Sequence, residues 1–231
     1  MDSNSLLHPS HHAYRPMHNT TTALIEMTDH WIEAFENGDI TAVVMCDQSA
    51  AFDVCDHRIL LDKLKIYGLD LQAISWFRNY LSQRYQAVWI DHILSDWKNV
   101  DIGVPQGSIL GPLLFVIFAN ELPDIVKSPL DCYCDDSTIS QASDNPNIIE
   151  EHLEADCVRI ENWMSSNKLK LNADKTHLVI LGTDRRRRLN DLVNTSINVQ
   201  MSGLNLEVTD SEKLLGCMID CNLKWKTHIS E

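Results

Sequence analysis

Residues 130–141, LDCYCDDSTISQ, place two adjacent aspartates between two stretches that have the composition of β-strands. Successive residues of a strand point to opposite faces of a sheet, so Asp135 and Asp136 can serve one site only where the backbone turns. A hairpin tip is such a place. Aspartate is also a common turn residue because its side chain forms local hydrogen bonds. Taken alone, the pair is better explained by turn formation.

A third carboxylate changes that balance. The run ITAVVMC is predicted to form a buried strand, and Asp47 follows it directly. Three carboxylates that meet in a folded chain repel one another unless a cation offsets their charge. Mg²⁺ prefers oxygen ligands and leaves positions for substrate phosphates, and two such ions stabilise the attacking and leaving oxygens of a phosphoryl transfer. The sequence therefore predicts a site for two Mg²⁺ ions, replaceable by Mn²⁺, at Asp47, Asp135 and Asp136.

The rest of the chain alternates helical and extended patterns. Helices are predicted over 20–37, after Asp56, over 71–84, after the loop GVPQGS and over 145–167; hairpins are predicted over 85–102 and 213–220, and a further strand at THLVILG. The segment DRRRRLND interrupts the pattern. Strands interleaved with helices, several of them in hairpins, indicate an α+β fold with an antiparallel sheet covered by helices on one face.

Charge limits the functions that this chain can have. Its 231 residues include 19 Lys and Arg against 33 Asp and Glu, a formal net charge of −14. Such a chain repels nucleic-acid phosphates at long range unless basic residues are concentrated locally. The one concentrated basic run, residues 185–188, lies in a polar connector, where we expect it to be hydrated rather than to bind phosphate.

Cysteines and histidines form no standard metal-binding pattern. The seven cysteines include no CxxC pair, which argues against a disulfide framework or a zinc module and favours a reducing compartment. The five histidines from His8 to His30 fit no usual ligand spacing and are predicted to be solvated at the surface. No apolar run of about 20 residues and no secretory signal are present, so we expect an intracellular protein, cytoplasmic or nuclear, without membrane contact.

Five segments resemble, in order and approximate spacing, the reverse transcriptases of non-LTR retrotransposons, the Jockey-like and related long interspersed elements. The segments are DQSAAFDVCDH, GVPQGSILGPLLF, CYCDDS, NKLKLNADKTHLVILGT and KLLGCMIDCNLKWKTHI. The resemblance implies a polymerase palm over residues 39–182, a partial fingers segment and helix over 1–38, and a connector with primer-grip-like strands over 183–231. It also implies that the thumb is absent.

The resemblance further implies roles for the residues of the catalytic centre. Asp47, Asp135 and Asp136 correspond to the metal-binding aspartates, and the backbone carbonyl of Gln48 corresponds to an additional ligand. Lys175 corresponds to a lysine that protonates the pyrophosphate leaving group, a role that suits a side chain with a tunable pKa. An exposed lysine without a catalytic role is the alternative.

Other residues are assigned to the substrates by the same resemblance. Phe52 corresponds to the bulky residue under the sugar of the incoming nucleotide that excludes a 2′-hydroxyl, although a core aromatic would fit its position too. Gln106 and Gly107 correspond to the loop against the nascent base pair, where glycine lets backbone approach a ligand closely. Arg15 corresponds to a fingers arginine that binds phosphate, with a solvated surface residue as the alternative. Leu214 stands where the primer grip often has an aromatic.

Two functions of different class follow. In the first, the chain is the palm of an RNA-directed DNA polymerase that binds an RNA template, a DNA primer and deoxynucleoside triphosphates. It adds deoxynucleotides to the primer by two-metal attack of the primer 3′-hydroxyl on the α-phosphate. In the second, it is a catalytically silent remnant of a mobile element. The intact carboxylates favour the first; the incomplete fingers and thumb and the acidic charge favour the second. The sequence gives no indication of the oligomeric state.

Overall fold

The computed structural model describes residues 6–172, 175–189 and 197–230. Its helices are α1 (Thr20–Asn37), α2 (Ala51–Val54), α3 (His57–Ile66), α4 (Leu71–Leu81), α5 (Leu110–Ala119), α6 (Leu122–Ile125), α7 (Pro146–Ser166), α8 (Asp184–Leu189) and α9 (Lys226–Ser230). Its strands are β1 (Ile40–Cys46), β2 (Arg84–Gln86), β3 (Trp89–Ile90), β4 (Ile93–Leu94), β5 (Lys98–Val100), β6 (Leu130–Tyr133), β7 (Asp136–Ser143), β8 (His177–Leu181), β9 (Gln200–Met201), β10 (Leu204–Asn205), β11 (Glu207–Thr209), β12 (Ser211–Leu214) and β13 (Cys217–Asp220).

Helix α1 has the bounds that its sequence predicts, because both ends carry strong capping residues. The Asn19 side chain accepts a hydrogen bond from the Thr22 amide, and the Thr22 side chain bonds the Asn19 backbone in return. At the other end Gly38 adopts a φ of 81°, and its N–H bonds the last helical carbonyls. The chain therefore leaves α1 in a fixed direction and enters β1.

The central sheet has five strands in the order β11-β8-β1-β7-β6. The pairs β8–β1, β1–β7 and β7–β6 are antiparallel, as predicted, but β11 pairs with β8 in parallel. A parallel pair needs a long crossover connection, and more than twenty residues separate β8 from β11, including α8 and the small β9–β10 hairpin. The prediction of a wholly antiparallel sheet was wrong at this edge.

Helices lie against both faces of the sheet. Every residue of β1 is buried. Ala42 and Val44 belong to the apolar core shared with α3, α5 and α7, whereas Val43 and Met45 pack in a second core with α1 and the β12–β13 hairpin. The prediction that helices cover one face was therefore wrong for α1, since alternate side chains of a strand require apolar cover on each side when both sets are apolar.

One side chain predicted to be buried on α7 is exposed. Val158 was predicted to line the apolar stripe of α7 but is 54% exposed. Its neighbour Asp156 is fully buried instead and accepts hydrogen bonds from the amides of Lys127 and Ser128.

The predicted connector DRRRRLND is helical over α8, and its last two residues lie outside the described ranges, as do residues 173 and 174 of the fourth motif.

His11 and His12 are each 1% exposed, so the prediction of solvated histidines was wrong for this pair. The His11 ring contacts the Ala119 carbonyl oxygen at 3.3 Å, and burial lowers the pKa of His11 to about 4. The His12 amide bonds the Cys132 carbonyl at 2.9 Å, which attaches this loop to β6. Among the described residues, no helix is long and apolar enough to cross a membrane.

Candidate active site

Strand register brings Asp47 next to the β6–β7 hairpin. In the β1–β7 ladder Cys46 lies opposite Ser137, so the next residue of each strand toward that end is Asp47 on one side and Asp136 on the other. Antiparallel neighbours at such positions are only a few ångströms apart. Both residues line one cavity of about 220 Å³. Two of the three predicted metal ligands are thereby brought to one place.

The third predicted ligand, Asp135, lies in the hairpin turn. Tyr133 pairs with Asp136, which leaves Cys134 and Asp135 as a two-residue loop. Cys134 has a φ of 58°, the positive value that hairpin turns with two-residue loops require at their first loop position. A non-glycine residue in this region costs about 1–2 kcal/mol, so the turn is held by the pairing of the strands on either side.

The carboxylates interact electrostatically. Partial burial, together with the negative charges of Asp135 and Asp47, raises the pKa of Asp136 to about 6. The ligand atoms of Asp47, Asp135 and Asp136 are less close together than those of His12, Glu26 and Asp131, which all lie within 4.8 Å of one another. Among the described residues, the latter is the one set of three His, Cys, Asp or Glu side chains with ligand atoms this close. Side-chain rotation is needed for Asp47, Asp135 and Asp136 to bind one ion together.

Asp47 is held by the segment that follows α7. Its backbone carbonyl accepts from the Asn172 amide at 2.9 Å, and its Oδ2 accepts from the Asn172 side chain at 3.1 Å. The Lys175 Nζ lies 4.0 Å from the same oxygen, on a side chain that is 69% exposed. Sequence reasoning missed Asn172, although the residue stands within the quoted motif NKLKLNADKT, three positions before the lysine.

His177 and Glu212 line the same cavity as Asp47 and Asp136. His177 Nδ1 lies 2.8 Å from Glu212 Oε2, joining β8 to β12. Lys213 and Leu214 of the β12–β13 hairpin line the cavity as well. Nothing in the local sequence distinguishes His177 or Glu212 from surface residues, and their proximity depends on the packing of the β12–β13 hairpin near β8.

The loop with Gln106 and Gly107 is attached to the segment that follows β1. The Val104 amide bonds the Phe52 carbonyl at 2.8 Å, and Gln106 Nε2 donates to Asp53 Oδ1 at 2.7 Å. Gly107 has a φ of 74°, with no atom within 4 Å of where a Cβ would lie. The loop thus presents an exposed glutamine and open space above a glycine.

Phe52 is partly buried and Gln48 is buried. The Phe52 ring stacks on Phe115 with centroids 4.3 Å apart and keeps part of its surface exposed. Gln48 is 4% exposed, and its side-chain oxygen and nitrogen have no hydrogen-bond partner. In the bridge between Gln48 and Leu171, the hydrogen bonds use the flanking backbone groups, so the Gln48 carbonyl is not consumed by that bridge.

Arg15 contacts backbone carbonyl oxygens of the loop that precedes α1. Its Nη1 donates to the carbonyl oxygens of His8, Pro9 and His11 at 3.1, 3.2 and 2.9 Å. These bonds close the loop that precedes α1. The contacts described for Arg15 therefore give it a structural function in this loop.

The sequence profile of the family described as "Reverse transcriptase (RNA-dependent DNA polymerase)" matches residues 1–219. The chain belongs to the reverse transcriptase family. The resemblance drawn from the motifs is thereby confirmed, and it extends over nearly the whole chain, including the α1 region and the β12–β13 hairpin.

Similar proteins come from mobile elements of Drosophila melanogaster. The chain is 27% identical over 231 residues to the probable RNA-directed DNA polymerase from transposon BS, which covers 96% of this chain and 25% of that protein. It is 26% identical over 230 residues to the RNA-directed DNA polymerase from mobile element jockey, with 94% and 24% covered. The chain thus spans about a quarter of the length of these curated relatives.

A solved structure has a similar fold. The structure of telomerase from Candida albicans in complex with the TWJ fragment of telomeric RNA superposes with a TM-score of 0.57 at 13% identity, covering 89% of this chain and 34% of that chain. At this identity the likeness concerns the fold alone, and it supports the mixed arrangement of one sheet and surrounding helices described above.

Proposed function

We propose that this reverse transcriptase domain is the catalytic palm of an RNA-directed DNA polymerase of a non-LTR retrotransposon. In this proposal it joins deoxynucleoside triphosphates to the 3′-hydroxyl of a DNA primer on an RNA template. The observation that carries the proposal is the meeting of Asp47 and Asp136 at one cavity, at the ends of two neighbouring strands. Family membership over residues 1–219 supplies the reaction class.

The donor set fits divalent metal ions. Asp47, Asp135 and Asp136 offer carboxylate oxygens, the ligands that Mg²⁺ and Mn²⁺ prefer. The raised pKa of Asp136 reflects burial and the uncompensated negative charge of its neighbours, which a bound cation relieves. Two Mg²⁺ ions held by these residues would supply electrostatic stabilisation to the attacking and leaving oxygens of the phosphoryl transfer.

The remaining residues are proposed to position and protonate the substrates. Lys175, near Asp47, donates a proton to the pyrophosphate leaving group. The Gln48 backbone carbonyl completes the ligand set beside Asp47. Gln106 and Gly107 lie against the nascent base pair, supported by the bond from Gln106 to Asp53.

Sugar and phosphate contacts complete the proposal. The exposed side of the Phe52 ring, fixed by stacking on Phe115, lies under the incoming sugar and excludes a 2′-hydroxyl. Arg15, whose Nη1 also closes the loop before α1, contributes to phosphate binding. We assign residues 39–182 to the palm, 1–38 to a fingers segment and helix, and 183–231 to a connector with primer-grip-like strands.

Primer extension on an RNA template tests the proposal. The purified chain is compared with Asp135→Asn and with a matched control, Asp144→Asn, which changes an exposed aspartate beyond the far end of the same hairpin. We expect metal-dependent extension by the unmodified chain and by Asp144→Asn. The extension rate of Asp135→Asn should be at least a hundredfold lower. Extension that is equal in all three contradicts the assignment of the carboxylates.

The alternative function, a catalytically silent remnant, makes the opposite prediction. It gives no extension by any of the three proteins at any primer or protein concentration. Mn²⁺ binding to the carboxylates does not separate the two functions, because a remnant that has kept its ligands still binds the ion without extending a primer; extension decides between them.

A further inference from the structure

His12 occupies an unusual environment in the loop before α1. Its side chain is 1% exposed. Nε2 lies 3.1 Å from Oδ1 of Asp131 on β6, whereas Nδ1 has no hydrogen-bond partner. Buried polar atoms are nearly always paired in folded proteins, so an orphaned imidazole nitrogen requires an explanation.

The unpaired nitrogen faces a second acidic residue. Nδ1 lies 3.9 Å from Oε2 of Glu26 on α1, too far for a hydrogen bond but close for two ligands of one ion. The ligand atoms of His12, Glu26 and Asp131 all lie within 4.8 Å of one another. Glu26 is 54% exposed, which gives an ion a path from solvent.

We propose that His12, Glu26 and Asp131 form a binding site for one divalent transition-metal ion of the zinc class, which His12 binds through Nδ1 when the Asp131 carboxylate turns from Nε2 toward the ion. An imidazole with two carboxylates is a donor set that favours Zn²⁺, Co²⁺ or Mn²⁺ over Mg²⁺. Three protein ligands leave a position for water, as in open zinc sites. The His18 ring, with its centroid 6.0 Å from that of His12, stands close enough to approach such an ion after rotation.

The site joins three parts of the chain that are distant in sequence: the loop before α1, α1 itself and β6. Asp131 lies on the same hairpin as Asp136, and both residues line one small cavity together with His12. A metal ion here would fix the hairpin that carries the catalytic aspartates against α1. Its function is therefore structural, and it is separate from the proposed catalytic ions.

The competing explanation is a protonated His12 that pairs with both carboxylates. In that case the cluster holds a proton, and transition metals bind no more tightly than at other surface carboxylates. The two explanations differ in a measurable property, the affinity for Co²⁺, whose visible absorption bands change when a protein nitrogen enters its coordination sphere.

Co²⁺ titration of the full chain in excess Mg²⁺, which occupies carboxylate-only sites, tests the proposal. His12→Gln keeps an amide donor toward Asp131 but has no equivalent of Nδ1, and Glu26→Gln changes an exposed residue and is expected to fold. Glu33→Gln, an exposed glutamate on the same helix, is the matched control. We expect one Co²⁺ bound by the unmodified chain and by the control, and affinity lowered at least tenfold in the other two variants.

Thermal unfolding gives a second readout that does not depend on activity. Zn²⁺ is expected to raise Tm for the unmodified chain and for Glu33→Gln but not for Glu26→Gln, because an ion that binds only the folded state stabilises it. The proposal is overturned if the unmodified chain binds Co²⁺ no more tightly than Glu26→Gln, or if Zn²⁺ raises Tm equally in Glu26→Gln and Glu33→Gln.

Discussion

Asp47 and Asp136 line one cavity because the strands that carry them are paired, with Cys46 opposite Ser137. The proximity is a property of strand register. A shift of one residue would turn every side chain of β7 to the other face of the sheet. The β1–β7 ladder, which runs from the Ile40–Ser143 pair to the Cys46–Ser137 pair, therefore sets the distance between the two carboxylates.

Replacing Asp47 should lower the pKa of Asp136. In the unmodified chain the negative charge of Asp47 is one of the causes that keep this pKa at about 6. Asp47→Asn removes that charge while keeping the shape of the side chain and an acceptor for Asn172. NMR titration of the Asp136 carboxyl carbon measures the change, and an unaltered midpoint would show that the two groups do not interact.

Removing the charge of Asp136 should stabilise the metal-free protein at neutral pH. The pKa of Asp136 is raised from 3.8 to about 6 on folding, so ionisation of this group opposes folding above pH 6 and has no effect below about pH 4. Each pKa unit corresponds to about 1.4 kcal/mol, reduced by solvent screening at this partly exposed group, so we expect a gain of about 1 kcal/mol for Asp136→Asn at pH 7.

Urea unfolding in EDTA at pH 7 and pH 4 measures this gain. It should be present at pH 7 and largely lost at pH 4, where the carboxyl of the unmodified chain is neutral in the folded state and partly protonated in the unfolded state. Equal effects at the two pH values would indicate a packing change in place of relief of charge.

Lys63 should be far more important for stability than its neighbour Lys65. Lys63 is buried on α3, where its Nζ donates to Glu121 Oε1 at 2.8 Å and lies 4.5 Å from the centre of the Phe118 ring; burial lowers its pKa. Lys65 forms an exposed pair with Asp62. We expect Lys63→Met to lower the free energy of unfolding by about 2–3 kcal/mol and Lys65→Met by less than about 1 kcal/mol.

Chemical denaturation of both variants decides this point. Similar losses for Lys63→Met and Lys65→Met would mean that the buried pair contributes no more than a surface pair.

Two glycines of the GVPQGS loop should differ in their tolerance of alanine. Both have positive φ, but a Cβ on Gly103 would lie 2.6 Å from the Asp53 carbonyl oxygen, whereas one on Gly107 meets nothing within 4 Å. Gly107→Ala should cost about 1–2 kcal/mol from its backbone conformation alone. Gly103→Ala should cost at least about 3 kcal/mol because it adds overpacking against backbone. Urea midpoints of the two variants in the reverse order would contradict this account of the loop.

The sequence predicts those features that local patterns determine. The helical pattern of its apolar residues defined α1, the strand-like stretches on either side of Asp135 and Asp136 located the hairpin, and the resemblance identified the family. Burial of His12 could not be predicted, because it arises from contact with β6, more than one hundred residues away. The parallel pairing of β11 and the second helical layer formed by α1 likewise depend on contacts between residues far apart in the sequence. Local sequence patterns do not encode such contacts.

Anomalous diffraction from crystals of this chain soaked in Mn²⁺ is the most direct measurement of the central claim, that strand pairing creates a divalent-metal site at Asp47 and Asp136. We predict an anomalous peak bounded by oxygens of these two carboxylates, and its loss in Asp136→Asn crystals. A map of the unmodified chain with no peak beside either carboxylate would contradict the claim.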